Sequence, residues 1–302
     1  MLKYQSYFHL HTKVALISTF AVFVFSFSCF SLNAQTLNQP LPKILWVIND
    51  APPFYILNGK LKKQGFGDLV QKAIINQLPQ YNHSHKIIPL KRVLLLLKAK
   101  KPLCFSTWIH DTRADLVTTS IPYLVYEPHG IIIDKEQLKK TQQSLSLKAL
   151  LKNKTLTFGI PAGRGFGERL DGLINDAKGY ANIYRRAGQD STEGIFKMLA
   201  SKRIDFILEY SYTFKYFKNS LNLHDNLSFV PLSEQVQDPP LGAIACTNTP
   251  WGEQRINDIN MAIKSIRKTE QFRKILTKWF VFDNNKSSYW QIFNSLVVKP
   301  FP

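Results

Sequence analysis

Lys43-Ile44-Leu45-Trp46-Val47-Ile48-Asn49-Asp50-Ala51-Pro52-Pro53-Phe54-Tyr55, followed by Gly65-Phe66-Gly67-Asp68-Leu69, is the stretch from which the fold is read. The apolar run 43–48 ends on two polar residues and reads as a strand. Two successive prolines forbid a helix and turn the chain into a loop. From there apolar residues fall at 66, 69, 70, 73, 74 and 78, one face of a helix over 66–78. Working outward, residues 87–88 read as a short strand. Residues 91–100 read as a helix whose middle, 93–97, is almost wholly leucine and is expected to be well buried. Residues 103–108 read as the next strand. Strands alternating with helices at this spacing predict βαβ units and a largely parallel sheet.

A change of register follows, with a strand at 130–133 and a polar stretch behind it. A second series begins near 145–151. Its strands are expected at 155–160, 182–184 and 204–208, with helices at 166–176, 193–200 and 211–219. Residues 225–231 read as a returning strand, 235–240 as a polar crossing ending in Pro239-Pro240, and 241–246 as a strand again. Ile256, Ile259, Ile263 and Ile266, then Phe272, Ile275, Leu276 and Trp279, mark two closing helices. The tail 284–302 keeps Trp290, Phe293 and Phe301 and is expected to pack.

The chain has 302 residues, 45% of them apolar, enough for two domains with separate cores and too apolar for disorder. Lys3 and Lys13 precede an uncharged apolar run over 14–30, and Ser31-Leu32-Asn33-Ala34 follows. This reads as a secretory signal peptide cut near Ala34. The competing reading is a retained anchor, because the run is nearly long enough to span a bilayer. A lipid anchor at Cys29 fits less well, since Phe27-Ser28 is a poor lead-in. No later stretch is long and apolar enough to span, so a soluble, exported mature chain is expected.

The formal charge is +18, and removal of Lys3 and Lys13 leaves +16. Nucleic acid suits so basic a chain, but the lysines run through its whole length, no nucleic-acid module appears, and export argues against it. Anionic envelope polymers or lipids, or an anionic ligand, remain as partners. Cleavage leaves Cys104 and Cys246. They are either a disulfide or two buried thiols, and spacing alone leaves both open.

A second pair of segments narrows the reading: His110-Asp111-Thr112-Arg113 just past a strand, then Ser120-Ile121-Pro122-Tyr123. With Asp50-Ala51-Pro52-Pro53-Phe54 and Gly65-Phe66-Gly67-Asp68-Leu69, their order and spacing resemble the extracellular solute-binding proteins of family 3, receptors of polar amino acid ABC importers. The resemblance spans nearly all of the mature chain, although its motifs match loosely. It implies an α/β, two-lobed periplasmic-binding-protein-like fold (type II), each lobe a mostly parallel sheet flanked by helices. It implies a signal peptide over 1–34, lobe one over 35–126, lobe two over 127–234, and a return to lobe one over 235–302. The hinge crossings would lie near 125–128 and 233–239. Under this topology the strands bearing Cys104 and Cys246 share lobe one, which favours the disulfide.

Arg113 is the leading candidate to grip a ligand. A carboxylate matches the planar, bidentate guanidinium. The alternative is a surface ion pair with Asp111 or Asp115. Ser106, Thr107 and Trp108 end the strand before it, and ligands of open α/β sheets bind beyond carboxyl ends of strands. Trp108 either stacks on a ligand ring or fills the core. By the resemblance, Phe54 and Tyr55, held by the two prolines, form one wall of the cleft. Asp50 takes a ligand ammonium or caps its turn. Gly163-Arg164-Gly165-Phe166-Gly167 follows a strand and opens a helix, where backbone N–H groups attract anions. It is neither a dinucleotide fingerprint nor a P-loop. In the family this loop meets the solute carboxylate, which makes Gly163 and Arg164 further candidates. Glu209 lies one residue before the place of the family's usual ammonium-binding aspartate, and Tyr210 occupies it. That departure counts against a standard α-amino acid.

His83-x-His85 lacks a third metal ligand nearby, and no nucleophile–base motif appears. Tyr210, Phe214, Phe217 and Leu221 fall at helical spacing and read as a core face. The expectation is a monomeric periplasmic receptor without cofactor or metal, delivering a carboxylate-bearing, amino-acid-like solute to an ABC permease. An elimination-type enzyme using Glu209 and a ligand-sensing receptor are the alternatives.

Overall fold

The computed structural model describes residues 40–140, 146–223, 225–232, 234, 239–280 and 286–302. The expected signal peptide and cleavage site, and most of the expected second hinge crossing, lie outside the described residues. Residues Pro42–Pro302 form one compact unit. Among the described residues no helix is long and apolar enough to cross a membrane.

The first βα series runs β1 (Lys43–Ile48), α1 (Phe66–Ile75), β2 (Asn82–Ile87), α2 (Leu90–Lys98) and β3 (Cys104–Ile109). Two short strands, β4 (Val117–Thr119) and β5 (Leu124–Val125), follow. The second series runs β6 (Gly130–Asp134), α3 (Lys135–Lys140), α4 (Leu147–Lys152), β7 (Thr157–Pro161), α5 (Glu168–Asp176), β8 (Asn182–Arg186) and α6 (Ser191–Ala200). It closes with β9 (Phe206–Glu209), α7 (Ser211–Ser220) and β10 (Leu227–Pro231). Then come β11 (Leu241–Thr247), α8 (Pro250–Ile266), α9 (Glu270–Phe280) and α10 (Lys286–Phe293).

Two separate sheets result. The first has order β2-β1-β3-β11-β4, with β5 also on β11; the second has order β10-β6-β9-β7-β8. In the first, β1 pairs in parallel with β2 and β3, while β11 is antiparallel to β3, β4 and β5. In the second, β7 is parallel to β8 and β9, and β6 is antiparallel to β9 and β10. The parallel parts are the βα series. The antiparallel strands stand where the chain enters or leaves a lobe. The chain passes to the second sheet between β5 and β6 and returns between β10 and β11.

The β11 return brings Cys246 directly opposite Cys104, and the two form a disulfide. The bridge spans 142 residues that include the whole second sheet. In a chain-entropy account such a closure contributes about 4–5 kcal/mol.

Several elements differ from their sequence reading. β2 starts at Asn82 rather than 87, because it is the exposed edge of its sheet and its polar residues carry no apolar alternation. α2 is a surface helix: Val93 and Leu97 are buried, but Leu95 is 52% exposed. α5 starts at Glu168, since Gly167 sits at φ 95° and breaks the helix. In α9 Phe280, not Trp279, completes the buried stripe. Phe293 is buried and Trp290 packs against the same core, as the tail reading expects.

Candidate functional site

The loop after β1 is built around glycine. A Cβ on Gly65 would lie 2.4 Å from the Phe54 carbonyl oxygen, so only glycine lets the start of α1 close on that loop. Asp68 then accepts the N–H groups of Gly65 and Ile56, each at 3.1 Å. The turn presents Phe54 towards the second lobe and buries Tyr55 behind it.

A cavity of about 60 Å³ lies between the lobes. The first lobe lines it with Asn49, Phe54, Thr107, Trp108, Arg113 and Tyr126; the second contributes Gly163, Arg164, Gly165, Asp171 and Tyr210. Beside it a larger groove of about 720 Å³ shares Arg113, Arg164 and Asp171, and continues past Glu168, Lys178 and Arg185.

Arg113 sits in a tight loop after β3, at φ 55°. The Trp108 indole N–H donates to the Thr112 carbonyl at 3.1 Å, and the guanidinium lies 5.8 Å from the Trp108 ring. Trp108, 5% exposed, thus braces the arginine loop. From there Nη1 of Arg113 reaches across to the Gly163 carbonyl at 3.2 Å. A Cβ on Gly165 would come within 3.0 Å of Nη2, so that glycine makes room for the guanidinium. Among the described residues Arg113 has no ion pair; Asp111 lies beside His110 at 3.3 Å instead.

Arg164 faces the same cavity in a different state. It pairs with Glu209 at 3.2 Å; Glu209 is buried and Arg164 is largely so, with 13% of its side chain exposed. Its guanidinium stacks over Phe54, Tyr210 and Phe166 at 5.2, 5.6 and 5.9 Å. Glu209 Oε2 also accepts the Tyr210 N–H at 3.0 Å. Tyr210 stacks on His129 at 4.0 Å, on Tyr212 at 5.0 Å and on Tyr126 at 5.3 Å. These rings join Phe54, Phe66 and Phe280 of the first lobe, so an aromatic cluster crosses the cleft. Asp171, on α5, accepts the Phe166 N–H at 3.0 Å. Burial raises its carboxyl above the usual range, against that hydrogen bond and the nearby Arg113, Arg164 and Arg185.

Thus Phe54, Thr107, Trp108, Arg113, Gly163, Arg164 and Tyr210 meet at the cavity. Four other candidates do not. Tyr55 and Ser106 are wholly buried in the first lobe, where their hydroxyls bond each other and Gln71 Nε2 donates to Ser106 at 2.9 Å. Pleating turns Ser106 to the opposite face of β3 from Thr107. Asp50 is half-buried and looks toward Asp190 and Glu193 of the second lobe rather than into the cavity. Burial, then those two carboxylates, push its pKa up to about 6. Glu209 stands behind Arg164. The His83 ring is used by Trp46 Nε1 and the Leu78 carbonyl, at 3.0 and 2.9 Å. Among the described residues no cluster of His, Cys, Asp or Glu has metal-binding geometry.

Sequence reasoning missed Asn49, Tyr126 and Asp171. Tyr126 follows a two-residue strand too short to register as periodicity. Asp171 lies one helical turn past Gly167, and that spacing from the glycine loop was its available signal.

No family model matches the chain, and no curated protein matches it. Solved structures do. An ancestral arginine-binding protein bound to arginine superimposes with a TM-score of 0.61 at 22% identity, over 80% of this chain and 100% of that one. A substrate-binding protein of an ABC uptake transporter from Streptococcus pneumoniae, with bound histidine, gives 0.58 at 17%, over 80% and 93%. A histidine kinase sensor domain similar to periplasmic binding proteins gives 0.61 at 16%, over 79% and 96%. At such identities the likeness is one of fold, and the fold is the two-lobed, periplasmic-binding-protein-like α/β architecture.

Proposed function

We propose that the chain is an exported, monomeric solute-binding protein that closes two lobes over a small carboxylate-bearing solute and presents it to an ABC permease. The observation that carries this reading is Arg113, whose guanidinium makes no ion pair among the described residues and spans the cleft to the Gly163 carbonyl, with the Asp171 carboxyl nearby. A carboxylate arriving between the lobes offers it a charge-assisted, bidentate partner in place of a neutral oxygen. Capture on the first lobe followed by hinge closure is a common mechanism for such clefts. Lobe boundaries at 126/127 and 234/235 belong to the same proposal.

Size narrows the class. At about 10–15 Å³ per water, the cavity holds roughly four to six waters' worth of solute, a small acid or short amino acid. A longer solute extends past Arg113 into the groove toward Lys178 and Arg185. Catalysis by Glu209 is disfavoured, because the carboxylate is buried behind Arg164 and holds it as an ion pair through Oε2, although Oε1 makes no hydrogen bond. A sensory role is the second reading, favoured by the likeness to a kinase sensor domain.

A thermal-shift screen over amino acids, oligopeptides, organic acids and sugars tests the reading. A ligand at a hundred times its Kd adds about 2.7 kcal/mol. Carboxylates are expected to stabilise the parent chain and not Arg113→Ala. Stabilisation only by uncharged sugars, or hits indifferent to Arg113→Ala, would sink the assignment. Chemical conversion of a hit would replace it with an enzyme, and normal solute uptake in a deletion strain would favour the sensor.

A further inference from the structure

The charge of the chain is unevenly placed. Between residues 51 and 110 there are ten lysines and arginines and one acid, Asp68, so this stretch carries nine of the eighteen excess charges. Asp68 is engaged internally by the Ile56 and Gly65 amides. None of the ten cations makes an ion pair among the described residues, whereas Arg164, Arg186, Lys197, Lys202 and Lys218 of the second series all do. Lys86, Lys91, Arg92 and Lys98 are all exposed on the edge strand β2 and on α2. On α2, positions 91, 95 and 98 share one face, with 92 beside it, while Val93 and Leu97 face the core. The centre of that outer face is Leu95, 52% exposed, and Ile87 at the end of β2 is 47% exposed.

We propose that this β2–α2 face of the first lobe is a docking surface for an anionic phospholipid bilayer. Unpaired lysines around exposed aliphatic side chains are what a negatively charged lipid surface selects: the ammonium groups meet headgroups, and leucine and isoleucine enter the interface. An acidic protein is the poorer match. Protein interfaces are depleted in lysine and enriched in aromatics, and nine of the ten cations here are lysines, with Leu61, Ile87 and Leu95 as the exposed apolar residues. The apolar run over 14–30 also directs the chain to a membrane, as a signal or as an anchor. A receptor held along the bilayer searches for its membrane partner in two dimensions.

The test is vesicle co-sedimentation of the full chain on phosphatidylcholine, with and without phosphatidylglycerol, at low and high salt. The quantity read is the increment that phosphatidylglycerol adds, so any contribution of the 14–30 run is common to all samples. An increment of about tenfold or more, lost at high salt, is expected. The triple change Lys91→Glu, Arg92→Glu and Lys98→Glu removes it. The same reversal at exposed Lys148, Lys152 and Lys154 of the second lobe leaves it within about twofold, and Leu95→Ser weakens it about threefold. No increment, or equal loss from both triple changes, overturns the proposal. Soluble polyglutamate bound as tightly as the vesicles would assign the face to an acidic protein instead. Melting curves on each variant separate loss of docking from loss of fold.

Discussion

Arg113 and Arg164 face one cavity from opposite lobes, yet the protein holds them in opposite ways. Arg164 is enclosed by three aromatic rings and neutralised by Glu209 at 3.2 Å. Arg113 lies against one ring and hydrogen-bonds a carbonyl oxygen, with the Asp171 carboxyl near it but outside ion-pair distance. A buried guanidinium with a carboxylate has its charge answered inside the protein and serves the architecture of the cleft. A guanidinium hydrogen-bonded to a neutral acceptor, with the nearby carboxyl not in contact, keeps much of its binding capacity for something else. Residue type therefore did not separate the two roles; the company each residue keeps does.

The largest effect that would break this comparison is on stability. Arg164→Met leaves Glu209 buried without its cation, and should cost about 3–5 kcal/mol in urea unfolding. Adding Glu209→Gln should recover a large part of that loss, since the uncompensated charge is gone. If Arg164→Met unfolds no more easily than the parent, Arg164 is not structural and the contrast fails. Arg113→Ala is the converse case. It should change stability by less than about 1 kcal/mol while weakening solute binding about a hundredfold, roughly 2.7 kcal/mol, read by titration calorimetry.

Gly163 sharpens the comparison because both arginines depend on its loop. It stands at φ 91°, and a Cβ there would lie 3.1 Å from the Lys91 nitrogen at the start of α2. Gly163→Ala should strain the contact between lobes by about 1–2 kcal/mol and leave each core intact. The expected signature is roughly tenfold weaker solute binding with a small change in melting temperature. Equal binding would mean that closure does not bring this loop against α2.

Much of the architecture was legible because strands such as 43–48 and helices such as 256–266 bury one face and display it as periodicity. The edge strand β2 was not, because Asn82, His83, Ser84 and His85 need no apolar partners there. Loop geometry was legible only where proline and glycine fix it, as at Pro52-Pro53 and Gly163 to Gly167. The cavity was half legible. Arg113, Phe54 and Gly163 follow from strand ends and a glycine turn. The retreat of Ser106 and Tyr55 into the core depends on which face of β3 looks inward, and on Gln71 arriving from α1 to satisfy the hydroxyl. The Arg164–Glu209 pair joins residues 45 apart in sequence, which no local pattern announces.

Asp50 gives the smallest effect and the one most specific to closure. It belongs to the first lobe, whereas Glu193 on α6 and Asp190 just before that helix belong to the second. Arg186 partly answers Asp190 at 2.6 Å, and the Tyr216 hydroxyl also faces the group. Folding raises the Asp50 carboxyl to about 6, so the folded state prefers it protonated. Its contribution is therefore fully present below about pH 4 and lost as pH rises through about 6. Asp50→Asn removes the ionisable group. It should stabilise the chain by about 1 kcal/mol or less above pH 7, after allowing for solvent screening of a half-exposed site, and give no such gain near pH 4. Urea unfolding at the two pH values measures the difference. Because the repulsion acts across the cleft, the same substitution should also tighten solute binding more at high pH than at low. A gain independent of pH would place the effect in local packing of the loop rather than in the approach of the two lobes.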